Sequence, residues 1–283
     1  MGDDTPAPVA LVTGASRGIG RGVALALAQL GHTVVITGRT VREGEATNPA
    51  TGHRLPGSLT TTAREVEELG ARCIPIEHDV LRLDTASSLI DQIIETCGRL
   101  DVLVNNAVYV GPGNDCIFTD NDPIDIEKRV VGNLTAPLLL THAFLRQSLA
   151  REPHPLLGAR AWLVDVTSDA GRRTPERLAG RGGWSLVYAA TKGGFHRIAD
   201  MVAHEYGHLG VRAINVNPGL VATERVLDSG ASLAWIAEKG ATPEEIGETI
   251  VRVVRDPLVG NGAYVHAQEY SSDSSSTDDK ETT

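Results

Sequence analysis

Tyr188 and Lys192 stand four residues apart in Tyr188-Ala189-Ala190-Thr191-Lys192, a spacing that puts both side chains on one face of a helix, a turn apart. A free phenol titrates near ~10 and is a weak acid at neutral pH. A fixed ammonium beside it favours the phenolate and draws that pKa towards the working pH. Such a pair can pass a proton to, or take one from, a carbonyl oxygen. Y-x-x-x-K also arises by chance in many helices, so its meaning depends on what the rest of the chain builds around it.

The elements that must position the pair can be followed along the chain. Val9 to Thr13 is a short apolar run, predicted as a strand. It ends in Gly14-Ala15-Ser16-Arg17-Gly18-Ile19-Gly20 and is followed by the amphipathic stretch Val23 to Ala28. A glycine-rich turn between strand and helix lets the backbone approach a pyrophosphate at the helix N-terminus, where amides and the helix dipole favour an anion. A second strand is predicted over His32 to Thr37. The position at its end, where an acid would accept from the ribose 2′-hydroxyl of NAD, holds Gly38 and then Arg39, with no carboxylate until Glu43. A guanidinium suits a 2′-phosphate, so Arg39, with Arg17 as a second clamp, favours NADP(H).

Thr40 to Ser58 is expected to be a polar surface insertion. Helix is predicted over Leu59 to Leu69, strand over Arg72 to His78, helix over Leu83 to Gly98 and strand over Leu100 to Val104. Asp79-Val80 and Asn105-Asn106-Ala107 stand at strand ends, where such sheets bind ligands. Tyr109 to Pro123 reads as a loop. Ile124 to Ala150 reads as one long helical segment holding Asn133, with a kink expected near Pro137. The fifth strand, Ala161 to Val166, runs into Thr167-Ser168, and a polar, arginine-rich loop follows. Helix is predicted over Leu186 to Leu209, strand over Val211 to Val216 and helix over Pro243 to Val254, opened by Thr242 and Glu245 as a capping box. Gly262 to Ala267 reads as a last strand. Alternating strands and helices imply α/β architecture: a single Rossmann-like domain over 9–270, with a doubly wound parallel sheet of about seven strands. A flexible N-terminus (1–8) and a disordered acidic, serine-rich tail (271–283) are expected to flank it.

Composition narrows the function. The chain has 283 residues, 41% hydrophobic and 22% charged, with a formal net charge of -10. That balance argues against a general nucleic-acid or anionic-membrane partner. Cys73, Cys97 and Cys116 lack metal-ligand spacing and suit a reducing cytoplasm. No signal-peptide core or membrane span is read. His204-Glu205-Tyr206-Gly207-His208 matches H-E-x-x-H, but it falls at a helix end marked by Gly207 and Gly210, and no third ligand is suggested, so no metal is expected. Ser168 as a hydrolase nucleophile is a poor reading, since no G-x-S-x-G elbow surrounds it.

Taken together, Thr13-Gly14-x-x-x-Gly18-x-Gly20, Asp79-Val80, Asn105-Asn106-Ala107, Asn133, Ser168, Tyr188-x-x-x-Lys192 and Asn217-Pro218-Gly219 with Thr223 resemble the short-chain dehydrogenase/reductase family, from about Val9 to about Ala267. The resemblance implies a catalytic set of Asn133, Ser168, Tyr188 and Lys192. Tyr188 would be the acid for ketone reduction and the base for alcohol oxidation. Lys192 would lower its pKa and hold the nicotinamide ribose, Ser168 would bond the substrate oxygen, and Asn133 would hold a water linking Lys192 to solvent. Cofactor contacts would come from Gly14, Ser16, Arg17, Gly18, Ile19, Gly20, Arg39, Asp79, Val80, Asn106 and Ala107, and from Tyr188, Lys192, Pro218, Gly219, Val221 and Thr223.

Two departures stand out. Val108 replaces the glycine that usually follows Asn-Asn-Ala, and the interval from Ser168 to Tyr188 is long, with Arg172 to Gly183 expected to rim the substrate mouth. The expected function is an NADPH-dependent reduction of a ketone to a secondary alcohol, or the reverse, by a cytoplasmic homodimer or homotetramer. Thr223 to Lys239 is a candidate lid. Trp184, Trp235, Leu233 and Ile236 either pack or receive a bulky, partly hydrophobic substrate. Non-redox or isomerising chemistry, and a cofactor-sensing binding protein, are the rival readings.

Overall fold

A computed structural model describes residues 5–49, 51–229 and 234–270. The acidic tail and Leu233 lie outside the described residues, as do the first four residues of the expected flexible N-terminus. Within the described part of that terminus, the Pro6 carbonyl receives His154 Nε2 at 2.7 Å.

Seven strands form one sheet: β1 (Val9–Thr13), β2 (Thr33–Gly38), β3 (Cys73–Glu77), β4 (Val102–Asn105), β5 (Ala161–Val166), β6 (Val211–Asn217) and β7 (Tyr264–His266). Every pairing is parallel, in the order β3-β2-β1-β4-β5-β6-β7. The order reverses between β1 and β4, and a crevice opens beyond the carboxyl ends of strands at such a point. The helices are α1 (Gly18–Gln29), α2 (Leu59–Glu68), α3 (Ala86–Cys97), α4 (Pro123–Val130), α5 (Ala136–Leu149), α6 (Leu186–Tyr206), α7 (Glu224–Asp228), α8 (Ala234–Lys239) and α9 (Pro243–Arg255).

Strand alternation assigns the two cores. Ala10 and Val12 of β1 pack with α1, α2 and α9 on one face, while Val9 and Leu11 pack with α3, α5 and α6 on the other. Both faces are covered, so β1, β4 and β5 are buried along their whole length. The Thr242–Glu245 capping box opens α9 as the sequence predicts. No helix among the described residues is long and apolar enough to cross a membrane.

Two segments hold more than the sequence shows. The stretch from 124 to 150 is one long helical segment as expected, but its irregularity is a π turn, Val131–Thr135, between α4 and α5, and Pro137 sits in the first turn of α5. The insertion at 40–58 is a surface loop as expected, but an anchored one. Leu55 and Asn48 are buried, Thr47 and Arg54 form an antiparallel bridge, and the Pro56 and Gly57 carbonyls accept from the Arg17 guanidinium.

Candidate active site

The glycine turn after β1 is knotted to the end of β4. Thr13 Oγ1 accepts from the amides of Asn106 and Ala107, each at 3.0 Å, and Asn106 Nδ2 donates to the Thr13 carbonyl at 2.8 Å. Gly14 has φ +69°, and a Cβ there would lie 2.8 Å from Ala107 Cα, so only glycine lets the two strand ends come this close. Around this knot opens a cleft of about 240 Å3. Of the residues expected at the cofactor, Gly14, Ser16, Arg17, Gly18, Ile19, Arg39, Val80, Asn106, Ala107 and Thr223 line it. Gly20 lies beneath, where a Cβ would strike Asn106 Nδ2.

Asp79 is not on the lining: its carboxylate accepts from the Leu81 amide at 3.0 Å, while His78 and Val80 face the cleft. Pro218, Gly219 and Val221 are not on the cleft wall, and Val221 is paired to Ala241. Val108 and Tyr109 form wall where the usual glycine is missing. Glu224 and Arg225 also line the cleft, and sequence spacing singled out neither.

The Tyr188–Lys192 pair is built on α6. Ser185 caps the helix by accepting from the Tyr188 amide at 3.3 Å, which sets Tyr188 in the first turn. Lys192, one turn on, is buried, and its Nζ donates to the Val166 carbonyl at 3.0 Å and lies 4.6 Å from the Phe195 ring centre. Burial lowers the Lys192 pKa, and the buried carboxylate of Asp165 opposes that. Asp165 itself is pushed up by burial, against a 2.9 Å hydrogen bond from Asn105 and the Lys192 charge.

Ser168 opens a short 3-10 turn, Asp169–Gly171, and its Oγ accepts from the Ala170 amide at 3.2 Å. Asp169 is fixed by the Tyr264 hydroxyl at 2.5 Å. A Cβ at Gly171 would lie 2.6 Å from the Lys192 carbonyl oxygen, so the turn rests directly on α6. This brings the Ser168 hydroxyl to the Tyr188 phenol: burial raises the Tyr188 pKa, and the hydrogen bond with Ser168 lowers it.

Asn133 lies in the π turn and is buried. Its Oδ1 accepts from the Tyr109 amide at 2.6 Å, and its Nδ2 donates to the Tyr109 carbonyl at 3.0 Å. Both amide groups therefore hold the loop after β4. Arg129 does the same from α4: it is fully buried, donating from Nε to the Val110 carbonyl at 3.0 Å and from Nη1 to Asn121 Oδ1 at 2.8 Å. Sequence reasoning missed Arg129, since arginines are mostly exposed and nothing local marks this one.

His204 and His208 are both exposed, one on the last turn of α6 and the other in the 3-10 turn beyond it. Trp235 on α8 is half exposed, and Trp184 precedes α6 with its indole Nε1 buried. The loop at 172–183 meets the loop at 109–123, where a Cβ at Gly180 would strike the Asp115 carbonyl.

Comparison with known proteins agrees with this geometry. Residues 8–232 match the model of the short chain dehydrogenase family. The chain is 31% identical to dehydrogenase/reductase SDR family member 1 of Mus musculus, over 89% of this chain and 76% of that protein. It is 30% identical to the 3-oxoacyl-[acyl-carrier-protein] reductase of Synechocystis, over 94% of this chain and 96% of the other. Its fold matches the crystal structure of a 3-oxoacyl-[acyl-carrier protein] reductase from Brucella melitensis in complex with NAD, with a TM-score of 0.74 at 23% identity, covering 92% and 95% of the two chains. The chain belongs to the short-chain dehydrogenase/reductase family of oxidoreductases, whose members bind a nicotinamide cofactor.

Proposed function

We propose that this chain is an NADPH-dependent reductase that converts a ketone to a secondary alcohol, or runs the reverse. The observation that carries the redox reading is the packing of the turn that Ser168 opens directly against α6 at Lys192, with Tyr188 one helical turn from that buried lysine. A nicotinamide bound in the cleft supplies the hydride. Ser168 hydrogen-bonds the carbonyl oxygen and steadies the negative charge that develops there. Tyr188 gives that oxygen its proton, and Lys192 keeps the resulting phenolate accessible near neutral pH. Asn133 holds the Tyr109 backbone and so shapes the wall between this centre and the cofactor cleft.

The residues present suit such a cofactor. The N-terminus of α1 opens on the cleft, where the Gly18 amide donates to Glu224 Oε1 at 3.3 Å in the place an anion would take, and Arg225 Nε in the same cleft is buried with no partner. NADP(H) is favoured over NAD(H) because Gly38 and Arg39 occupy the point where an acid would read the ribose, and Arg17 lines the same end. Substrate is expected to be a small molecule entering beside the loops at 109–123 and 172–183. A homodimer or homotetramer is inferred as well, supported by the exposed Leu138 and Leu139 on α5 and Met201 on α6.

The test is a fluorescence titration of the protein with NADPH and NADH side by side, followed by a screen of ketones. Tight NADPH and weak NADH, levelled or reversed in Arg39→Asp, is the expected result. A preference for NADH would make Arg39 a surface charge and remove the 2′-phosphate argument.

A further inference from the structure

A third guanidinium lines the cleft beside Arg17 and Arg39: that of Arg225, near the start of α7. It is half-buried, and its Nε is closed off from solvent with no hydrogen-bond partner. Burial holds the Arg225 pKa below its ordinary value, and the Arg17 and Arg39 charges push it the same way. Arg17 has other company. Its Nε and Nη2 donate to the Pro56 and Gly57 carbonyls at 2.9 and 2.7 Å, and it feels the carboxylates of Glu224 and Glu43. The charges that act on Arg225 are both cations. Three guanidiniums thus share the cleft with one carboxylate, that of Glu224, which holds the Gly18 amide and acts on Arg17. The excess positive charge, with the Arg225 Nε buried and unpaired, favours a further anion in the space.

The placement of Arg225 is not accidental, because α7 is tied on both sides of it. Glu224 Oε1 accepts from the Gly18 amide at 3.3 Å. Further along, Asp228 accepts from Asn48 Nδ2 at 2.8 Å and Thr51 Oγ1 at 2.5 Å, and meets His53 Nδ1 at 3.0 Å. These last three belong to the 40–58 insertion, the same segment whose carbonyls orient Arg17. The insertion therefore positions two of the three arginines at once.

We propose that Arg225 completes a three-arginine receptor for a phosphate monoester on the adenosine ribose, the 2′-phosphate of NADP(H), and that the 40–58 insertion exists to seat Arg17 and α7 for it. This rests on the NADP(H) reading above and adds a specificity residue to it. A phosphate monoester carries close to two negative charges at neutral pH and three strong acceptor oxygens, which matches donors arriving from the glycine turn, the end of β2 and α7.

The test uses the unliganded protein and measures binding by calorimetry of NADPH, NADH, 2′-AMP and 5′-AMP to wild type, Arg225→Gln and Arg225→Lys. Wild type is expected to bind NADPH over NADH and 2′-AMP over 5′-AMP. Arg225→Gln should weaken NADPH and 2′-AMP roughly 10- to 100-fold while leaving NADH and 5′-AMP within about threefold. Arg225→Lys, which keeps the charge without the fork, should lose less, and again only for the two 2′-phosphorylated ligands. If wild type prefers NADH, the NADP(H) reading fails and this inference with it. If wild type prefers NADPH but Arg225→Gln weakens all four ligands alike, or none, Arg225 merely supports α7; the inference is overturned and the NADP(H) reading stands. Should the Gln variant not fold, the same comparison on Arg225→Lys decides, with equal losses or no loss counting against the proposal.

Discussion

Lys192 Nζ donates to the backbone carbonyl of Val166 at 3.0 Å, so the buried cation is docked on the carboxyl end of β5, immediately upstream of Ser168. The strand that delivers the serine thus also fixes the ammonium, and α6 delivers the tyrosine one turn before the lysine. Behind this contact lies Asp165, buried and paired across the sheet with Asn105 of β4 and Asn215 of β6.

Asp165 sets a pH dependence. Its carboxylate raises the Lys192 pKa against the lowering effect of burial. Asp165→Asn removes that support, so Lys192 should lose its proton at lower pH. For ketone reduction, which draws on the protonated pair, the alkaline limb of the kcat/KM profile should move towards lower pH. An unmoved limb would mean that Lys192 does not govern the profile.

Ser168→Ala removes the hydroxyl bonded to Tyr188. That bond lowers the Tyr188 pKa, so its loss should leave the phenol more weakly acidic. It also removes the donor to the developing alkoxide, for which a loss of roughly 10²- to 10³-fold in kcat is expected, with NADPH affinity near wild type. Equal losses in affinity and rate would indicate a collapsed turn instead.

Asn133→Ala should act on the fold as well as the site. It leaves the Tyr109 amide and carbonyl without partners, at a cost of roughly 1–3 kcal/mol, read as a lower unfolding midpoint in denaturant. Because Tyr109 lines the cofactor cleft, NADPH affinity should fall too. A variant as stable as wild type would show that the two hydrogen bonds are replaced by water.

Much of this was legible in the sequence because its signals are local. A glycine turn between strand and helix, a tyrosine and lysine one turn apart, and Thr242 with Glu245 each announce themselves within a few residues. What escaped depends on contacts made far along the chain. Arg225 looks like any charged residue of a short helix until α7 is tied to Gly18 and to the 40–58 insertion. The 40–58 insertion, polar and rich in turn formers, gives no sign that it holds Arg17 and Asp228. The irregularity expected near Pro137 is a π turn one step earlier, around Asn133; a five-residue change of winding leaves no periodicity to detect. Asp79 sits where a cofactor contact is expected, yet its side chain closes its own turn, a choice set by local backbone geometry that residue type does not encode.

The most direct test of the central claim is NADPH consumption with a panel of ketones by wild type and Tyr188→Phe, paired with NADPH binding by both. Turnover by wild type that falls at least about 10²-fold in Tyr188→Phe, with binding retained, is the predicted result. Retained turnover in Tyr188→Phe, or NADPH binding by wild type with no reduction of any ketone, would contradict it.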